Sequence, residues 1–321
     1  MQDVVGDDAH LFFRFAHGRH LNSLNQNYLL PADKEEIRRS ELHHRMLQFV
    51  FSGKNYIGPV RQALQFGEQR RILDLGTGGG FWAIDMADEF PRAEVIGVDL
   101  APIQPRDVPP NCTFELCDLD QWNIPYPDNY FDFVHARSMH TGIHDYPRFI
   151  EEIARILRPG GLVLIIEPSL HPLVGPIPTA TAVPAMPLTQ PSESYHDGWE
   201  TLWETYRTCL RRHGIDVTVP ERLADLLAEA GEFEDIVTSE GNIPVGFWPP
   251  ESDSTARTVG ELQWMDYELF LPALKPFFLS LGLADTFVDN LISEAQRDFY
   301  EPPPHICRIA RLHIVYASKV L

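Results

Sequence analysis

The chain has 321 residues and 44% hydrophobic content, enough for a substantial core in one large domain or two small ones. A formal charge of −20 argues against a phosphate backbone as main partner, because that binding needs Lys and Arg to neutralise phosphates. The longest aliphatic run, Leu162 to Ile166, is far short of a membrane span, and the acidic first ten residues (Asp3, Asp7, Asp8) do not fit a signal peptide. A cytoplasmic protein acting on a small molecule or a protein, not on nucleic acid or a membrane, is therefore expected.

Residues 1–66 read as a helical, polar cap. Tyr28-Leu29-Leu30-Pro31 marks a turn, and beyond it Ile37, Leu42, Met46, Leu47 and Val50 recur at near-helical spacing. Asp33 fits an N-cap, with Glu36 three residues later as in a capping box.

Residues 67–170 alternate short apolar runs with helical patterns. The runs are Arg71–Leu75, Glu94–Leu100, Thr113–Cys117, Phe131–His135 and Leu162–Glu167. Strands alternating with helices imply βαβ units and a parallel sheet buried on both faces. Leu157-Arg158-Pro159-Gly160-Gly161 ends a helix and turns the chain into the next strand.

Six prolines between 172 and 191 make 171–191 extended or irregular, and an aromatic-rich helix follows from Tyr195 to His213. Residues 171–220 are thus an insertion, either a substrate lid or an elaborated connection. Residues 221–321 restore the alternation: a helix near Glu221–Ala230, a strand near Asp235–Ser239, helices across 256–300 and a last strand near Ala310–Ala317. Cys112, Cys117, Cys209 and Cys307 are too few and scattered for a disulfide framework and read as buried thiols.

The informative motif is Arg71-Ile72-Leu73-Asp74-Leu75-Gly76-Thr77-Gly78-Gly79-Gly80, a strand entering a glycine-rich turn before the helix from Phe81 to Phe90. A dinucleotide fingerprint seats a pyrophosphate through G-x-G-x-x-G. Here the third glycine comes one residue early and the strand carries the carboxylate of Asp74. An acid beside the turn repels pyrophosphate but suits a ligand bearing an ammonium group, as S-adenosylmethionine (SAM) does beside its sulfonium. Val95-Ile96-Gly97-Val98-Asp99 ends in a second acid able to accept from both ribose hydroxyls. Glu115-Leu116-Cys117-Asp118-Leu119 places a third where an adenine amino group could donate to it.

This constellation resembles the class I SAM-dependent methyltransferases. The resemblance continues through Asp128–Arg137 and through Leu157–Gly161. It implies an α/β, Rossmann-like fold with a seven-stranded, mostly parallel sheet, a helical N-terminal cap and an inserted lid. It also implies that Gly76, Gly78, Asp99, Asp118 and Leu119 contact the cofactor, with Thr77 and Leu100 in the same turns. By the same analogy the Ala136–Ser138 backbone, Arg137 included, lines the methionine end. Over most of the chain, Tyr28–Pro31, Phe81–Ala87, Val98–Pro105, Val108–Cys112, Ile243–Pro249 and Leu312–Ala317 are similar to the fungal LaeA-like methyltransferases. That family implies either a tailoring enzyme of secondary metabolism or a regulator, nuclear in that case, that associates with velvet proteins. Position in the family also sets Tyr28 over the cofactor.

Methyl transfer needs alignment, desolvation and, for a hydroxyl acceptor, removal of a proton. Ligands in open α/β sheets sit beyond the carboxyl ends of the strands, so His140 and His144 are the candidate catalytic bases, with Glu167, His171 and His196 behind them. A shared helical face for His140 and His144 would also permit a metal, but no carboxylate pair at matching spacing supports one, and none is expected. Tyr195, Trp199, Trp203, Tyr206, Phe247, Trp248, Trp264 and Tyr267 suit core packing, and a subset suits the wall of an apolar or aromatic acceptor pocket. The expected reaction is O-methylation of a small molecule, with S-adenosylhomocysteine (SAH) as product.

Overall fold

The computed structural model describes residues 9–65, 69–121, 123–177, 198–301 and 306–321. Its central sheet holds strands β1 (Arg70–Leu75), β2 (Ala93–Asp99), β3 (Cys112–Leu116), β4 (Phe131–Arg137), β5 (Leu157–Pro168), β6 (Leu173–Pro176), β7 (Phe233–Val245) and β8 (Ile306–Lys319). The order β3-β2-β1-β4-β5 is parallel throughout. β8 then runs antiparallel to β5 on one edge and to β7 on the other.

Eight strands occur where seven were expected. β6 pairs with residues 306–309 of β8 while β7 already occupies the opposite edge at Arg308 and Ile309. β6 therefore lies on the edge used by β5 and prolongs its line, so eight strands fill seven columns. The start of the proline-rich segment supplies this extra strand, and residues 178–197, with His196 and Tyr195, lie outside the described residues.

The sheet forms because alternate side chains of each inner strand feed opposite cores. Ile72, Val95, Phe133, Leu162, Leu164 and Ile166 join one apolar cluster, which includes Met46, Leu47, Trp82 and Met86. Leu73, Leu75, Ile96, Val98, Val134, Val163 and Ile165 join the other, packed with Phe149, Ile150, Leu223 and Leu227. The helices are α1 (Lys34–Val50), α2 (Phe81–Glu89), α3 (Tyr146–Ile156), α4 (Gly198–Arg212), α5 (Val219–Ala230), α6 (Ser254–Ala273), α7 (Lys275–Ser280) and α8 (Asp285–Tyr300), besides single turns at Ala9–Phe12 and Val60–Ala63. α3 starts at Asp145, whose side chain accepts from Arg148 N–H at 3.1 Å.

The N-terminal region is less helical than expected. Phe13–Ala16 and Arg19–Asn22 form an antiparallel hairpin around His17 and Gly18, both at positive φ, the geometry that suits a two-residue hairpin turn. Asp33 caps α1 by accepting from Glu36 N–H at 3.3 Å, but the capping box is half formed. The Glu36 carboxylate turns to Arg39 instead.

α4, expected within a lid, is a core helix. Trp199, Leu202, Trp203, Tyr206 and Leu210 are buried against α6 and α8. All four cysteines are buried and free. No helix among the described residues is long and apolar enough to cross a membrane.

Candidate functional site

The strand order reverses between β1 and β4, and a cleft opens there beyond their carboxyl ends, where such sheets bind ligands. The glycine turn after β1 forms its floor. Gly76 and Gly78 hold φ of 70° and 56°, and Thr77 N–H donates to Val98 O at 2.9 Å, stitching the turn to β2. A Cβ on Gly76 would stand 2.1 Å from Met139 Sδ, and one on Gly78 would stand 3.0 Å from Ser40 Oγ. Glycine is thus required at both positions, where any side chain would collide with Met139 or Ser40, and the turn lines the cleft.

Asp99, at the end of β2, lines the cleft. Its carboxylate accepts from Gly78 N–H at 2.8 Å and Ala101 N–H at 3.3 Å, which fixes it beside the turn and leaves further lone pairs for a ligand. Burial pushes this carboxyl up to about 6, against the lowering pull of those N–H donors. Leu100, Ile103, Cys117 and Leu119 continue the wall with apolar surface.

The other two acids of the motif do not line the cleft. Asp74 is buried beneath the turn, accepting from Thr77 Oγ1 at 2.7 Å and from His135 Nδ1 at 2.7 Å. It is an internal brace whose partner lies 61 residues away on β4. His135 in turn stacks on Trp82, with ring centroids 3.9 Å apart. Asp118 stands at the rim, taken by Asn25 Nδ2 at 3.0 Å and Gln121 Nε2 at 2.9 Å. Of the three acids expected to face a cationic ligand, Asp99 alone lines the cleft, while Asp74 and Asp118 are bonded to local donors outside its lining. Of the Ala136–Ser138 backbone expected at the methionine end, Arg137 and Ser138 line the cleft, whereas Ala136 is buried in the core.

The roof comes from residues that precede the sheet. Tyr28 lies over the 140–142 turn, where a Cβ on Gly142 would meet its ring at 3.0 Å. α1 presents Glu36, Arg39, Ser40 and His43, and sequence reasoning missed all four. α1 is held by Arg39, which binds Glu36 and reaches Asp266 of α6 at 3.1 Å. His43 lines the cleft with neither ring nitrogen hydrogen-bonded, its Nδ1 3.8 Å from Asp266. Burial lowers its pKa, with Asp266 opposing and Arg137 and Arg39 reinforcing, so the ring is neutral near pH 7.

Arg137 ends β4 in the cleft wall, followed by Ser138 at φ 58°. Neither expected base is in the cleft. His140 is buried, donating from Nδ1 to Glu167 at 2.7 Å. Glu167 is itself consumed by Tyr146 Oη and by the N–H groups of Met139 and His140. His144 faces acceptors with both nitrogens, Asp120 at 2.7 Å and His213 O at 3.0 Å. The two share no helical face, because the single 3₁₀ turn His140–Gly142 ends in extended chain at Ile143. Among the described residues no cluster of three or more His, Cys, Asp or Glu could hold a metal ion.

The aromatic residues pack on one another, in line with the core-packing reading of most of them. Trp199 stacks on Phe299 at 5.5 Å and Trp264 does so at 5.2 Å, while Trp203 and Tyr267 meet edge to face at 5.7 Å. Trp248 donates to Arg308 O at 3.2 Å, and Phe247 lies against Trp264, largely exposed.

Residues 36–234 match the family described as "Methyltransferase domain". The chain is 33% identical to the secondary metabolism regulator laeA of Coprinopsis cinerea, over 98% of this chain and 76% of that one. It is 30% identical to the secondary metabolism regulator LAE1 of Cochliobolus heterostrophus, over 73% and 70% of the two chains. Methyltransferase pytC of Aspergillus terreus is 28% identical, over 84% and 75%.

Proposed function

Since the chain belongs to the methyltransferase-domain family, as a LaeA-like member and a SAM-dependent enzyme, we propose that this cleft holds SAM and serves a small hydroxylated acceptor. The observation that carries this reading is the cleft-lining Asp99, its carboxylate fixed by Gly78 N–H beside a glycine turn that lines the same cleft.

The residues present fit the cofactor. Asp99 accepts from the ribose hydroxyls; Leu100 and Leu119, with Cys117, flank the adenine. Gly76, Thr77 and Gly78 let the backbone approach the thioether region, Arg137 stands at the amino-acid end, and Tyr28 closes the roof. When bound, SAM supplies a methyl carbon activated by positive sulfur. The chain's tasks are to bind, to exclude water and to take a proton. His43 takes the role first expected of His140 or His144. It is the neutral imidazole in the cleft wall, and Asp266 stands behind it to stabilise the charge it gains.

A small acceptor suits the enclosure, because Tyr28, α1 and the 138–143 turn close over the floor from three sides. The test is incubation of purified protein with SAM and hydroxylated small molecules, read by mass spectrometry. A methylated oxygen in the product supports the reading; methylation of nitrogen or carbon alone contradicts it.

The names of two relatives, both secondary metabolism regulators, favour a second reading, a regulatory methyltransferase; the velvet-type partner and nuclear place of that reading come from the family resemblance alone. A stable co-purifying protein partner, with no turnover of small molecules, would select it.

A further inference from the structure

The hairpin of Phe13–Ala16 and Arg19–Asn22 stands apart from the central sheet as a two-stranded sheet of its own, a size that is marginally stable in water. Its pairs Phe13↔Asn22, Arg14↔Leu21, Phe15↔His20 and Ala16↔Arg19 close on a two-residue turn. That geometry aims the backbone groups of Arg14 and Ala16 at the partner strand and those of Phe13, Phe15 and His20 outward. On the Arg19–Asn22 side the outer edge is covered: His20 O accepts from Ala32 N–H at 2.7 Å, and Leu21 bridges Pro31. On the Phe13–Ala16 side no further strand pairs among the described residues.

That open edge carries none of the features that keep strand edges from pairing. Phe13–Ala16 holds no proline, no lysine and no acid. Its one charge, Arg14, folds back onto its own hairpin, donating to Asn22 O at 3.2 Å and Gln26 O at 3.3 Å. Alternation along the strand puts Phe13 and Phe15 on the face opposite Arg14. Phe15 is 69% exposed and meets the His20 ring edge to face, with centroids 5.3 Å apart.

Charge decides what can approach. The chain carries −20, yet Ala9 to Ala32 contains no Asp or Glu. A second copy is repelled by the acidic body of this molecule and meets no acid on this segment. The edge is also self-complementary. Antiparallel pairing about a two-fold axis at Arg14 sets Phe13 of each copy opposite Phe15 of the other. Each such pair exchanges two backbone hydrogen bonds, and the four rings share one face.

We propose that this edge joins two copies of the chain, Phe13–Ala16 against Phe13–Ala16, in a symmetric four-stranded sheet. The surface is small, so the dimer is weak and concentration-dependent, with a dissociation constant on the order of 10–100 µM. Its bonds are backbone and apolar while the acidic bodies repel, so added salt strengthens it. The inference is independent of what the cleft binds.

The test is sedimentation velocity of the full chain over concentrations that span this constant. Wild type should pass from monomer to dimer, and at lower concentration as salt rises. Phe15→Pro removes an outward N–H and leaves the bonds of Arg14 and Ala16 within the hairpin, so it should stay monomeric with unchanged thermal unfolding of the monomer. The four native cysteines are buried, which leaves engineered thiols to report the register. Arg14→Cys should form an intermolecular disulfide on oxidation with copper phenanthroline, because a non-hydrogen-bonded pair holds its Cα atoms about 4.5 Å apart. Gly18→Cys, at the hairpin tip, should not. A wild type that stays monomeric overturns the proposal, as does a dimer that survives Phe15→Pro. A dimer that weakens as salt rises marks a basic hairpin seated on an acidic body and overturns it too. Cross-linking of Gly18→Cys as fast as Arg14→Cys overturns the two-fold pairing.

Discussion

Asp99 combines two demands that pull its ionisation in opposite directions. Burial raises its carboxyl to about 6, whereas ribose hydroxyls donate to the ionised form and favour deprotonation. SAH affinity should therefore fall as pH drops through about 6 and level off above 7, with proton release on binding in that window, as calorimetry in buffers of different ionisation enthalpy would show. Affinity that is flat from pH 5 to 8 contradicts the role. In the ligand-free protein the same raised value makes Asp99's contribution to stability full below the unfolded carboxylate range and lost as pH rises through 6. His43 gives a second prediction at this scale. With SAM saturating, His43→Ala should lower turnover of a hydroxyl acceptor about 10²- to 10⁴-fold, remove the acid limb of the pH profile and leave SAH affinity in place. An unchanged profile would exclude His43 as the base. Of the site residues, Asp99 was legible because a strand ending in Asp after an apolar run declares its position. Asp74 looked equivalent, yet its partner His135 lies on another strand, and no local pattern announces that pairing. His43 and Arg39 were illegible because only the packing of α1 on α6 brings them to the cleft.

Elements were legible where their periodicity was strong. Strands β1, β2, β4 and β5 feed two cores through alternate residues, and the runs of β1, β2 and β4 were found close to their ends, whereas β5 already starts at Leu157, inside the segment read as a turn. β7 was read too short, since Glu240, Gly241 and Asn242 break the apolar alternation on an edge strand bonded only to β8. The hairpin at 13–22 went unread, although His17-Gly18 carries its turn signal. Two predictions belong here. Gly76→Ala sets a Cβ 2.1 Å from Met139 Sδ at a left-handed φ, so it should cost about 2–4 kcal/mol in urea unfolding and abolish measurable SAH binding. Unaltered binding would mean that the turn does not face the ligand. Asp132, buried at the start of β4, accepts from Arg71 N–H at 2.8 Å and binds the guanidinium groups of Arg158 and Arg70. It thereby ties β1, β4 and β5 together at the end remote from the cleft. Asp132→Ala should destabilise the protein by about 3 kcal/mol with SAH affinity per folded molecule retained. A loss of affinity without loss of stability would contradict that division.

At the scale of the whole molecule, the cleft joins segments distant in sequence: the Tyr28 turn, α1, the β1 and β2 loops, and the corner after β4. One acid, Asp99, lines the cleft where three were expected, and the family match carries the methyltransferase assignment. Ligand and fold should be thermodynamically coupled, because the cleft is built from segments that only the folded chain brings together. SAH at a hundred times its dissociation constant should add about 2.7 kcal/mol to the unfolding free energy. The most direct measurement is a crystal structure with SAH bound. The account predicts the nucleoside over Gly76–Gly78, with both ribose hydroxyls about 2.7 Å from the Asp99 carboxylate. A ligand lying elsewhere, or an Asp99 carboxylate turned from the ribose, would contradict it.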